Sequence, residues 1–346
     1  MKIFKLKKCF YILFLIFLII LMKLKIFNIN KNVIINKKIL IEVDISGSKG
    51  SRGPSMFNKG IYEILPYNIS RCNFIASNSI YPNNSRNRTD YFYISYPLFG
   101  EHIYNERIKI NETNKLILGP NFVPSNWYSF PNKKHWKERR FPEIINEVKG
   151  IAVHTNRVKN HLSEKSNTQN MIKKYINIRP CTNLKPTNIK SFDNRTIDIL
   201  FFEKYADLNR KKQGLQLLNL LKNTNKKVKQ LKYGYYTKNQ MKELANDSKF
   251  LIYFSFFDAG PIGLIEIQNH GVIIFTHQKE FVLDNNTSFF VPELANSNDM
   301  KNAFNIIMEK IEVISKSLPN SKIIAKINQE NNKCEKSLED LCQSLL

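Results

Sequence analysis

The segment Phe250–Phe275 constrains the fold more than any other part of this chain. It reads FLIYFSFFDAGPIGLIEIQNHGVIIF. The apolar run 250–257 has the length of a strand that is buried on both faces, which is typical of parallel sheets. A Gly-Pro turn follows, and a second apolar run, 272–275, closes the segment. We therefore predict a strand, a turn, a short helix and a second strand, which is the repeating unit of a doubly wound α/β domain.

The turn between these two strands is suited to phosphate binding. Pro261 fits the first position of a helix, and Gly271 fits the left-handed position just beyond its end. The helix would begin at the carboxyl edge of the sheet, where its free backbone N–H groups attract phosphates. Asp258 and Glu266 would place two carboxylates beside that phosphate, and such a pair suits sugar hydroxyls. The alternative is an ordinary strand-to-helix corner with two solvated acids.

This segment resembles the acid-x7-Glu segment of glycosyltransferases with the GT-B fold, in particular the large group-1 family that uses nucleotide-sugar donors. The resemblance implies that Asp258 contacts the transferred sugar and that Glu266 binds the ribose of the donor. Most family members have Glu where this chain has Asp258, so the carboxylate here is one methylene shorter. The resemblance also implies that the intervening backbone holds the diphosphate, and that backbone comprises Gly260, Pro261, Ile262, Gly263 and Leu264.

The resemblance extends over 39–314 and implies two Rossmann-like domains that face each other across a cleft. We expect an acceptor domain over 39–182, a donor-binding domain over 183–318, and a tail over 319–346. The first predicted strand, Ile39–Asp44, leads into a Gly-rich loop. Gly53 in this loop resembles the turn that, in the family, lies beside the acceptor and the donor phosphate.

His154 is a candidate on the acceptor side. It falls at the carboxyl end of the predicted strand 150–154, the edge where ligands collect in such sheets. It can serve there as a base or as a polar contact for the acceptor. A hydrogen-bonded structural histidine is the alternative.

The segment 203–214 occupies the place where the family usually has an Arg and a Lys, about five residues apart, that bind the donor diphosphate. Lys204 and Arg210 are the candidates, with Lys211 and Lys212 as substitutes. A cation there would stabilise the negative charge that develops on the departing nucleotide, without a metal. A basic loop that faces solvent is the alternative.

The amino-terminal residues predict a membrane anchor. The apolar run Cys9–Met22 is shorter than the roughly 20 residues that span a bilayer. Lys23 and Lys25 can snorkel, which extends the expected transmembrane helix to 9–27. No small-x-small cleavage site follows, which favours an uncleaved signal anchor with a cytoplasmic tail over 1–8 and a stem over 28–38. The body would then lie in the lumen of the Golgi or endoplasmic reticulum; a cleaved signal peptide and the reverse orientation are the alternatives.

Asparagines and cysteines are compatible with a luminal glycoprotein. Asn-x-Ser/Thr triplets occur along the chain, although a chain so rich in Asn contains several by chance. Four cysteines follow the expected anchor, and an even number permits disulfides in an oxidising compartment. Cys334 and Cys342 form the expected local pair, and the other two are Cys72 and Cys181.

The net charge of +24 does not by itself indicate nucleic acid as a partner. Lys, Asn and Ile are enriched together along the whole chain, so we interpret the lysines as a solvated surface. A basic cleft would still attract a diphosphate donor and an anionic membrane. No Asp-x-Asp triplet occurs, and no Cys-x2-Cys or His-x3-His spacing indicates zinc. We expect neither a metal nor a bound cofactor, with the nucleotide sugar as co-substrate.

These features predict a membrane-anchored glycosyltransferase. It would move a sugar from a nucleotide-sugar donor to a hydroxyl on a glycan, protein or lipid. A GT-B-like sugar-binding or scaffold protein without turnover is the alternative, because Asp258 and the spacing of Lys204 and Arg210 depart from the family pattern. A dehydrogenase is a poor fit, since no G-x-G-x-x-G follows the first predicted strand.

Overall fold

The structure is a computed structural model, and it contains two mainly parallel sheets with helices packed on them. It describes residues 38–44, 53–64, 68–77, 89–94, 113–120, 148–156, 158–160, 175–182, 185–204, 208–254, 262–279, 287–317 and 319–346. No helix within these ranges is long and apolar enough to cross a bilayer. The expected anchor over 9–27 lies outside them.

The first sheet has seven strands in the order β2-β3-β1-β4-β5-β6-β7. All neighbours pair in parallel except β2 and β3, which are antiparallel. Helix α1, Gly53–Ile64, follows β1. The strands are β1 Ile39–Asp44, β2 Asn68–Ile69, β3 Cys72–Ser77, β4 Tyr91–Ile94, β5 Leu116–Leu118, β6 Gly150–Val153 and β7 Tyr175–Asn177.

The second sheet has five parallel strands in the order β12-β11-β10-β8-β9. Its strands are β8 Ile197–Glu203, β9 Val228–Lys232, β10 Ser248–Phe254, β11 Ile273–Thr276 and β12 Ser288–Phe290. Helices α2, Leu208–Lys222, and α5, Ser297–Ser317, pack on one face. Helices α3, Lys238–Asp247, and α4, Ile262–Gln268, pack on the other.

The central position of β10 explains its uninterrupted apolar sequence. Phe250, Ile252 and Phe254 belong to the core beneath α2 and α5. Leu251 and Tyr253 point to the opposite face and belong to the core beneath α3 and α4. Because both faces are covered, no polar alternation survives in the strand. The predicted strand, helix and strand are all present in this segment.

The carboxyl-terminal residues, expected to form a tail, fold into α6, Ser321–Asn331, and α7, Cys334–Leu345. Helix α7 returns to the first sheet, where Leu338 and Leu341 join the core that contains Ile41 and Val43. The expected domain limits at 182 and 318 stay predictions.

Two disulfides attach α7 to the first half of the chain, and the local Cys334–Cys342 pair was wrong. Cys72 bonds Cys342, and Cys181 bonds Cys334. Cys334 and Cys342 lie on one helix, eight residues apart, which separates their Cα atoms by about 12 Å. That separation exceeds the roughly 7 Å that a disulfide can bridge.

Candidate functional site

Helix α4, which carries Glu266, lies where the two halves of the chain meet. Ile262 at its start belongs to the core of the first sheet together with Phe57 and Ile61 of α1. Leu264 and the residues that follow it belong to the core of the second sheet. The helix therefore contacts both halves and lies at the crevice between them.

The carboxylate of Glu266 is buried and paired. Its side chain is 6% exposed, and Oε1 lies 3.1 Å from Nζ of Lys238. Lys238 is the first residue of α3, whose start is fixed by a capping box between Thr237 and Gln240. A buried carboxylate without a nearby cation is costly, and Lys238 supplies that cation here.

Tyr236 also lies beside α4. Its Oη lies 4.0 Å from the position that a Cβ would occupy on Gly263, at the first turn of α4. Burial raises the pKa of Tyr236 to about 12, with further contributions from Tyr233 and from the negative charge of Glu266. The hydroxyl is therefore neutral and can donate a hydrogen bond at physiological pH.

Lys204 follows directly after β8, at the same carboxyl edge of the second sheet. Its Nζ lies 4.3 Å from the centre of the Tyr233 ring, which is a cation–π contact. Burial lowers the pKa of Lys204 to about 8. A poorly hydrated cation at this edge has less solvent to lose when it meets an anion, which suits it to a phosphate.

Arg210 is already engaged in an ion pair. It lies in the first turn of α2, and its Nη2 is 2.7 Å from Oε1 of Glu293. Its Nε donates to the same oxygen at 3.1 Å. Lys204 and Arg210 thus contact different partners, and the charge of Arg210 is balanced by Glu293.

His154 follows β6 on the first sheet and is held as a neutral ring. Its Nδ1 lies 2.6 Å from the carbonyl oxygen of Ile178, so Nδ1 carries the proton and donates it. Burial lowers the pKa of His154 to about 4, against the opposing effect of the bond to Ile178. Nε2 is buried, and it has no hydrogen-bond partner among the residues that the structure describes. The ring also meets Phe57 of α1 edge-on, at 5.4 Å between centroids.

A cavity of about 210 Å³ extends from His154 to α4. Its wall includes Ile265, the neighbour of Glu266, and polar side chains from the ends of β6 and β7 and from α7. A hydroxyl-rich ligand or several waters can fill it, because each of these side chains offers a hydrogen bond. The polar side chains include Asn156, Asn177, Arg179 and Asp340.

Four of the described candidates lie together on α4, and His154 lines the cavity beside that helix. Gly53 begins α1, and Ile262, Gly263, Leu264 and Glu266 form α4. Asp258, Gly260 and Pro261 lie outside the described residues. Lys238 and Tyr236 were not predicted as partners of Glu266. The Thr-x-x-Gln pattern at Thr237 was the available signal, because such a capping pattern indicates a helix start after β9.

No protein-family model and no curated protein matches this chain. Solved structures do match it. The lipopolysaccharide outer core galactosyltransferase WaaB is 11% identical with a TM-score of 0.52, over 89% of this chain and 99% of that one. Sucrose-phosphate synthase from Thermosynechococcus elongatus is 10% identical with a TM-score of 0.50, over 88% of this chain and 98% of that one.

A third match, TarM, is 14% identical with a TM-score of 0.45. The match covers 67% of this chain and 55% of the TarM chain, so this chain spans about half the length of TarM. The similarity to WaaB and sucrose-phosphate synthase confirms the predicted GT-B fold, with two Rossmann-like sheets.

Proposed function

We propose that this chain is a glycosyltransferase that moves a sugar from a nucleotide-sugar donor to a hydroxyl acceptor. The observation that carries the proposal is Glu266, a buried carboxylate held by Lys238 at the crevice of a GT-B fold. Buried ionised carboxylates are rarely kept without a use, since an apolar residue would cost less. WaaB, which shares the fold, is named as a galactosyltransferase, and the other match is named as a sucrose-phosphate synthase.

The donor would lie along the carboxyl edge of the second sheet. Glu266 would accept hydrogen bonds from the ribose hydroxyls, and Lys204 would neutralise the diphosphate. Asp258 would contact the transferred sugar. The contact of Lys204 with the Tyr233 ring and its lowered pKa support its part in this arrangement.

The acceptor would approach from the first sheet. The cavity beside His154 offers polar side chains on the side of the crevice opposite the second sheet. Nε2 of His154 is an unprotonated acceptor, so it can receive a hydrogen bond from an acceptor hydroxyl. The acceptor would be a glycan, a protein or a lipid.

A sugar-binding protein without turnover is the second candidate, and the Arg210–Glu293 ion pair favours it. Glu293 already balances the charge of Arg210, the residue expected to hold the diphosphate. If Arg210 stays with Glu293, the departing nucleotide has one cation fewer. Donor turnover separates the two candidates, because a binding protein forms the complex but releases no nucleotide.

We further propose that the body is luminal and anchored by the helix over 9–27. The two disulfides within the described residues support an oxidising compartment. Asn194 supports glycosylation because it is an exposed acceptor in an Asn-x-Thr triplet.

The test of the proposed activity is a panel of nucleotide sugars screened for thermal stabilisation of the protein, with and without a chelator. A donor that binds the folded state raises the melting temperature by mass action. We expect stabilisation by at least one nucleotide sugar, and the same stabilisation with the chelator present. Stabilisation by none would contradict the proposal, and loss of the effect with chelator would contradict metal independence alone.

A further inference from the structure

Lys238 pairs with Glu266, whose carboxylate is assigned to the ribose in the proposed function. Its Nζ lies 3.1 Å from Oε1 of Glu266, and its side chain is 42% exposed while that of Glu266 is 6% exposed. The open approach to the carboxylate is therefore narrow, and Lys238 fills part of it. A ribose that donates two hydroxyl hydrogen bonds to Glu266 needs this space.

The backbone of Lys238 is held in place, whereas its side chain is long, flexible and partly exposed. The capping box between Thr237 and Gln240 holds the start of α3 in place. The ammonium group sits on a flexible four-carbon stem, and nearly half of the side chain faces solvent. When Glu266 changes partner, Nζ can move without any shift of the helix.

We propose that Lys238 exchanges partners when the donor binds, leaving Glu266 to the ribose and pairing with the diphosphate of the same molecule. The inference rests on the proposed function. The diphosphate is joined to that ribose through its 5′ carbon, so the new anion arrives next to the carboxylate that Lys238 leaves. The Lys238 ammonium leaves the singly charged carboxylate of Glu266 and gains contact with the diphosphate, which carries more negative charge.

The exchange makes Lys238 a specificity residue for the diphosphate. A nucleoside must displace Lys238 from Glu266 and offers no anion in return, so the broken ion pair weakens its binding. A nucleoside diphosphate forms a new ion pair with Lys238 that offsets this loss. The site therefore selects ligands that carry both a ribose and a phosphate.

Binding affinities of nucleosides and their diphosphates test the exchange. Uridine, adenosine and guanosine and their diphosphates are titrated calorimetrically into the wild-type chain, Lys238→Met, Lys238→Arg and Lys310→Met. Lys310 is a matched control because it is a partly exposed lysine on α5, across the second sheet from α3. We expect Lys238→Met to weaken diphosphate binding about 10-fold or more and to leave nucleoside binding equal or tighter. Lys238→Arg should keep most of the diphosphate preference, and Lys310→Met should match the wild type.

Equal weakening of nucleoside and diphosphate by Lys238→Met would overturn the exchange, since Lys238 would then only support Glu266. Unchanged affinities would overturn it too. If Lys238→Met fails to fold because Glu266 is left unpaired, Lys238→Met with Glu266→Gln removes both charges and is compared with Glu266→Gln alone. The exchange predicts a lower diphosphate preference in the double variant, and equal preferences would refute it. Binding of no diphosphate by the wild-type chain overturns the proposed function together with the exchange, whereas a normal wild-type affinity with an insensitive Lys238 overturns only the exchange.

Discussion

Burial sets the charge of the residues at the crevice. Lys204 and Tyr236 lie at the carboxyl ends of β8 and β9, and burial moves both pKa values toward the neutral form. Glu266 keeps a cation beside it despite its burial. A nucleoside diphosphate would therefore meet two cations. Lys204 is poorly hydrated and has little solvent to lose, and Lys238 already lies beside Glu266, the proposed ribose ligand.

We predict that diphosphate binding weakens as the pH rises through 8. The pKa of Lys204 is about 8, so the protonated form that pairs with phosphate is full below this value and lost above it. Between pH 7 and pH 9 the affinity should fall about 10-fold, with proton uptake on binding near pH 8. Titration calorimetry in buffers of different ionisation enthalpy measures both effects.

Lys204→Arg is the control for this titration, because an arginine stays charged over the whole range. It should bind the diphosphate with little dependence on pH. The same fall in affinity in Lys204→Arg would assign the pH effect to another group.

Single residues were predictable from the sequence where local geometry decides their role. Gly271 adopts a positive φ of 72°, as predicted, and a Cβ there would lie 2.1 Å from the carbonyl oxygen of Ser321. The pairing of Arg210 with Glu293 was not predictable, because 83 residues separate them and only the packing of the second sheet brings them together. The contact of Lys238 with Glu266 likewise depends on how α3 lies against α4.

Among the elements, those with long apolar runs were predicted, whereas two three-residue strands and the last two helices were not. Strand β10 was predictable from its unbroken apolar run, which is present because the strand is buried on both faces. Strands β7 and β12 have three residues each, too few for a periodic signal. Helices α6 and α7 were missed because Lys, Asn and Glu dilute their apolar positions, and their place depends on α7 reaching the first sheet.

We predict that each disulfide stabilises the attachment of α7. Replacement of Cys72 by Ser should lower the free energy of unfolding by roughly 2–5 kcal/mol, since the bond closes a loop between residues 270 positions apart. Urea denaturation measures the loss. Cys342→Ser should give the same loss, and the double variant should add nothing, because both changes remove one bond. Peptide mapping without reductant that links Cys334 to Cys342 would contradict this pairing.

At the scale of the whole molecule, the chain passes from the first sheet to the second and returns through α7. Helix α4 contacts the cores of both halves, so the proposed donor residues lie at the junction. The resemblance of this chain to GT-B glycosyltransferases implied this two-sheet organisation. The sequence could not predict the return of α7, which depends on two disulfides between distant cysteines.

We predict an integral membrane glycoprotein. The protein should stay in the membrane fraction after a carbonate wash, and glycosidase should lower its mass. Asn194→Gln should remove one glycan, because Asn194 is exposed. Asn246→Gln should leave the mass unchanged, since Nδ2 of Asn246 donates to the carbonyl oxygen of Asn188 and a glycan there would displace that bond. Release by carbonate or insensitivity to glycosidase would contradict the prediction.

Release of free nucleoside diphosphate from nucleotide sugars tests the glycosyltransferase activity most directly. We expect the wild-type chain to release it from at least one nucleotide sugar. Asp258→Asn should lower turnover and leave affinity for the nucleotide product nearly intact, whereas Glu266→Gln should weaken nucleotide binding about 10-fold or more. Both variants should stay folded by circular dichroism. Release from none of the nucleotide sugars, or full turnover by both folded variants, would contradict the account.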